Sequence, residues 1–115
     1  MNTKPYFEPN GRLATFEVEK IYISVRDIAN LIRSVDGVSE VHIRRIFSLQ
    51  SEIHIEFSYM NGIFVVYEPF GESNVYWIGP KDMTLDVIDL GAIEQAFRRY
   101  QPSLIRRILG IKILK

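Results

Sequence analysis

Cysteine is absent from these 115 residues. Without it there is no disulfide scaffold, no thiolate nucleophile and no cysteine-ligated zinc or iron–sulfur centre. Histidine is scarce, with two, so few ways remain to activate a nucleophile. Long apolar runs are missing as well. The longest is Ile63 to Tyr67, far short of the roughly 20 residues that cross a bilayer. Met1 to Leu13 holds Pro5 and Pro9 and no apolar stretch of signal-peptide length. No phosphate-binding loop, dinucleotide fingerprint, Gly-x-Ser-x-Gly elbow or His-Glu-x-x-His helix occurs. These absences lead to the expectation of a cytoplasmic chain with no cofactor, no metal and no enzymatic signature.

The composition that remains is that of one globular domain spanning residues 1–115: 47% apolar and 24% charged. The formal net charge is zero but unevenly placed. All 14 acidic residues lie at or before Glu94, while Gln95 to Lys115 carries Arg98, Arg99, Arg106, Arg107, Lys112 and Lys115 with no acid. Such asymmetry has two readings. A basic tail can dock on its own acidic body. Alternatively Arg98, Arg99, Arg106 and Arg107, interleaved with Leu104, Ile105, Ile108 and Leu109, can form a cationic amphipathic segment that binds an anionic surface. Nucleic acid is not expected as a partner, since a wide basic surface with stacking aromatics is lacking.

Residues 1–11 read as a loose arm. Leu13 to Ile23 reads as a first strand, followed by a helix with a well-specified start: Ser24 at the cap, Asp27 at the third helical position, and Ile23 and Ile28 placed as a hydrophobic staple. Val25, Ile28, Ala29, Leu31, Ile32 and Val35 fall on one face, and Gly37 suits a left-handed cap. Val38 to Phe47 returns as a strand, Glu52 to Met60 and Ile63 to Phe70 as a hairpin, and Val75 to Ile78 as a short strand stopped by Gly79-Pro80. A second helix opens at Asp89 or Leu90 and ends at Pro102, and Ser103 caps a final basic helix or tail over 103–115. The order β-α-β-β-β-β-α-α predicts an α+β fold: a mostly antiparallel sheet of about five strands with helices packed on it.

Asn61-Gly62 between two β-prone runs is the strongest hairpin signal in the chain, because a two-residue type I′ turn needs positive φ at both central positions. A reversal there pairs Phe57 with Val66 and Tyr59 with Phe64. It places Ile53, Ile55, Phe57, Tyr59, Phe64, Val66 and Phe70 on a core face. The second face then holds His54, Glu56 and Ser58 but also Ile63, Val65 and Tyr67, and Tyr76 and Ile78 are expected to extend it. A strand apolar on both sides is covered on both sides. Either a carboxy-terminal helix packs there, or Ile63, Val65, Tyr67, Tyr76 and Ile78 form an interface for a protein partner or a second copy.

A polar group is expected beside that patch. With Ser48 to Gln50 as a loop, His42 lies opposite Glu56 and Arg44 opposite His54, so His42, Arg44, His54, Glu56 and Tyr67 share a sheet face. A histidine next to a carboxylate is the minimum for acid–base work or small-ligand binding. The plainer reading is a solvated face of favourable cross-strand pairs. Arg45 and Glu68 fall on core-facing parity and predict either a rim ion pair or a bulge near Arg45-Ile46. The sequence thus predicts a small non-catalytic interaction module, an adaptor, immunity-type inhibitor or assembly subunit, ahead of a ligand-binding protein or enzyme.

Overall fold

Runs of β-branched and aromatic residues build six strands: β1 (Lys4–Phe7), β2 (Leu13–Glu19), β3 (Val38–Ile43), β4 (Ile53–Tyr59), β5 (Gly62–Tyr67) and β6 (Val75–Pro80). The computed structural model describes residues 1–44, 53–68, 74–83, 86–103 and 107–108. Every neighbouring pair is antiparallel, in the order β1-β2-β6-β5-β4-β3, so the sheet is open with β1 and β3 at its edges. Two helices, α1 (Val25–Arg33) and α2 (Gly91–Arg99), complete the described elements together with a 3-10 turn over Lys20–Tyr22. The fold is α+β, with six strands rather than five. The additional one is β1, inside the segment expected to be a loose arm. Its Pro5 is tolerated because an edge strand has one side free of ladder bonds. The first long strand ends at Glu19 rather than Ile23, and the 3-10 turn takes up the remainder.

Helix α1 forms as its sequence dictates. The Ser24 side chain accepts a hydrogen bond from the Asp27 N–H at 3.1 Å, satisfying a donor that the first turn cannot. Ile28, Ala29 and Ile32 are buried against the sheet, and Gly37 at φ +87° turns the chain into β3. Helix α2 is held differently. The Asp89 carboxylate accepts from the Gly91 N–H at 3.1 Å and the Leu13 N–H at 3.0 Å, tying the helix start to β2. Phe97 meets Phe16 edge-on at 5.1 Å, and the Tyr100 hydroxyl donates to Asp27 of α1 at 3.4 Å. At the far end the Met1 amino group donates to the carbonyls of Phe97, Arg98 and Tyr100 at 3.2, 2.9 and 2.7 Å, capping carbonyls that lack helical partners. Glu94, buried on α2, accepts from the Thr3 hydroxyl and the Arg98 guanidinium.

The hairpin reverses one residue earlier than Asn61-Gly62. Tyr59 pairs with Gly62, and the turn residues are Met60 (φ +51°) and Asn61 (φ +64°). Gly62 is occupied elsewhere: a Cβ there would stand 2.7 Å from Ile88 Cδ1 and 3.1 Å from the Phe64 ring. The glycine serves close packing inside β5, so the turn forms without it. Sliding a two-residue turn by one position moves each cross-strand partner by two, and two is the period of a strand. Phe57 therefore faces Phe64 rather than Val66, yet the division of this hairpin into two faces survives, save at the bulged end of β4.

Pairing also runs on to Pro80, past the expected stop at Gly79-Pro80. Pro80 lies opposite Phe64, and the Lys81 N–H donates to the Ile63 carbonyl at 2.9 Å. By alternation the proline nitrogen points toward β2, where the ladder has already ended at Phe16 and Ile78, so no rung is lost.

Candidate functional site

Directly opposed residues share a face of the sheet, and the registers define two. One face carries Phe16, Val18, Ile55, Phe57, Phe64 and Val66 and is covered by both helices and by Ile88 and Leu90. Tyr76 and Ile78 belong to this face: they pair with Val18 and Phe16 and are 7% and 0% exposed. Their expected place beside Ile63, Val65 and Tyr67 is thereby corrected. The run Val75 to Ile78 is apolar at every position, so its own period could not choose a parity; its neighbours in the sheet chose it. Of the two carboxy-terminal helices expected as possible covers for the second face, α2 lies on the first with α1, and the segment 103–115 lies almost wholly outside the described residues.

The second face is not crossed by either helix or by the 86–90 segment. Its centre is Trp77, opposite Tyr67 on one side and Glu17 on the other. The Trp77 and Tyr67 rings meet edge-to-face at 5.2 Å and 85°. The indole leans along β6 over Gly79, where a Cβ would stand 2.5 Å from Trp77 Cη2 and 2.8 Å from Thr15 Cγ2. Glycine is required there to let the ring lie flat on the strand. Thr15 and Val65 are buried beside it, whereas Ile63 and Tyr6 are 50% and 40% exposed. Trp77 is the site residue that sequence reasoning missed.

Charged side chains frame this aromatic centre. Glu56 receives Lys81 Nζ at 3.1 Å and Arg44 at 3.9 Å, and His42 lies opposite Glu56 as the sequence predicted. On the β1 side Lys4 sits over the Tyr6 ring at 5.6 Å. Its pKa is raised above the ordinary lysine value, first by a hydrogen bond with Tyr6 and then by the charges of Tyr6 and Glu17.

His54 does not join His42, Arg44 and Glu56. Its carbonyl accepts from the Arg44 N–H at 2.8 Å, the opposition the sequence predicted, but a bulge between Ile53 and Ile55 leaves it without a partner in β5 and turns its ring to the helix side of the sheet. There it meets Tyr76 edge-to-face at 5.5 Å, and its Nε2 donates to Glu68 at 2.7 Å. Lys20 donates to the other Glu68 oxygen at 2.8 Å and stands 5.6 Å from the Tyr76 ring. Partial burial alone raises the Glu68 carboxyl, but the hydrogen bonds and charges of Lys20 and His54 outweigh it and hold the group below its ordinary 4.5. Glu68 thus occupies its expected core-facing parity. Arg45 and Ile46, with the bulge expected there, lie outside the described residues.

The three described arginines of the expected group have separate surroundings. Arg98 is engaged by Glu94 of its own helix. Arg99 borders a groove between the helices that also contains Asp36. Arg107 lines a depression shared with Glu19, Tyr22 and Met1, so at this point basic tail and acidic body are neighbours. Arg106 and most of the 103–115 segment lie outside the described residues. Among the described residues no group of three or more histidines, aspartates and glutamates could hold a metal, and no helix is long and apolar enough to cross a membrane.

Comparison with known proteins gives no match: no family model, curated protein or solved structure resembles this chain.

Proposed function

We propose that this protein is a small non-catalytic binding module whose second sheet face, centred on Trp77, Tyr67, Val65 and Ile63, receives a protein partner. One observation carries the reading: the helices pack on one side of a six-stranded sheet, while the other, over which no helix lies among the described residues, presents the chain's single tryptophan and a tyrosine in contact, framed by charges. Interfaces concentrate energy in such aromatic anchors inside a polar rim. The edges support a face rather than a strand as the contact. β3 is bulged at Glu40 (φ +52°), and β1 is short, holds Pro5 and faces a bulge at Ala14 in β2. These are devices that oppose strand addition. A ligand site built on His42 and Glu56 has less support, because the second imidazole is on the other side of the sheet.

The test is photocrosslinking in the cell of origin. A photoreactive side chain at position 63 should give a discrete protein adduct, while the same group at exposed Asn30 on α1 should give none. Equal labelling from both positions, or no adduct from position 63, overturns the reading.

A further inference from the structure

We infer that the occupant of the open face is a second copy of this chain, packed face to face in a two-fold dimer; this rests on the reading of that face as an interface. Three observations carry it. The first is charge. An interface around a two-fold axis sets a surface against itself, so any excess of one sign repels its copy. Here Lys4, Arg44 and Lys81 stand against Glu17, Glu19, Glu56 and Glu40, the last accepting from the Ser58 hydroxyl at 3.1 Å, so the described residues of the face are within one charge of balance. A face so close to balance offers little repulsion to its own copy.

The second is area. Six strands about 4.8 Å apart, with about 3.3 Å per residue along them, give a face of roughly 25 by 20 Å. Two such faces bury roughly 1,000 Å² in projection, which reaches the lower bound of specific interfaces. The third is shape. Thr15, Gly79 and Val65 keep the centre low, and the Trp77 ring lies flat upon it, so the face can stack on another sheet at the spacing of a β-sandwich, about 10 Å. Both edges are blunted, so pairing edge to edge into a continuous sheet is the less favourable route to the same dimer.

Sedimentation of the purified full chain from about 1 to about 100 μM tests this, the range in which an interface of this size dissociates. The mass should rise from one chain to two. Ile63→Lys and Tyr6→Lys, at exposed positions, should each move the midpoint at least about tenfold upward while leaving the monomer's melting temperature unchanged. A chain that stays monomeric overturns the inference, and so does a dimer indifferent to both variants. If the monomer nevertheless crosslinks another protein through position 63, the second copy falls and the binding face stands. If neither is seen, both fall.

Discussion

Each face of the sheet carries one glycine beneath a large side chain, and the two glycines show how the faces differ. On the closed face Gly62 makes room for the Cδ1 end of Ile88, a flexible tip that belongs to the segment sealing the core. On the open face Gly79 makes room for a rigid indole that comes from the same strand two residues away. The closed face is filled by other elements, while the open face is smoothed by its own.

The comparison can be broken first on the closed side. Phe57→Ala removes a fully buried ring stacked on Phe64 at 5.7 Å. It should cost about 3–5 kcal/mol, read as a large loss of denaturation midpoint. A loss as small as that of a surface substitution contradicts the closed face. The corresponding change on the open side is Gly79→Ala. Its methyl cannot coexist with the flat indole, so a loss of about 1–3 kcal/mol is expected, with emission of the sole tryptophan moving toward that of a solvated ring. Unchanged emission contradicts the placement of Trp77.

A smaller effect probes the hairpin that joins the faces. Met60 holds a left-handed backbone that disfavours side chains with a Cβ. Met60→Gly should therefore raise stability by about 1 kcal/mol by chemical denaturation, whereas a turn at Asn61-Gly62 would show no gain. The smallest effect concerns the rim of the closed face. Glu68 has a lowered carboxyl pKa in the folded chain, so its stabilisation is complete above about pH 4.5 and is lost as pH falls through the lower folded value. Glu68→Gln should cost under about 1 kcal/mol at neutral pH and flatten the acid limb of the stability profile. A profile parallel to that of the parent contradicts the Lys20–Glu68–His54 cluster.

Local physics made much of this readable in advance. The Ser24 cap, the buried face of α1, the positive φ at Gly37 and the α+β class all depend on residues close in sequence, where propensity and period are decisive. The opposition of His42 and Glu56 was also readable. It follows from a loop at Ser48 to Gln50, which lies outside the described residues, whereas the bulge at Glu40 was not expected although it has a signal: Val38, Val41 and Ile43 are spaced three and then two apart, as an extra residue there requires. Leu13 and Phe16 show the same broken spacing around the Ala14 bulge. Around His54 no such signal exists, since Ile53 and Ile55 alternate as an unbroken strand would.

The sequence by itself determined both described helices, five of the six strands, the class of fold and which residues of the central hairpin point together, because each follows from the period of a helix or strand. Only the tertiary structure decided that Trp77 rather than Tyr76 and Ile78 stands on the open face, and that His54 leaves the company of Glu56. In a strand apolar at every position, or one carrying an unpaired residue, parity is set by hydrogen-bonded neighbours distant in the chain. For β6 those neighbours are β2 and β5, and their register placed the indole on the face opposite the two helices.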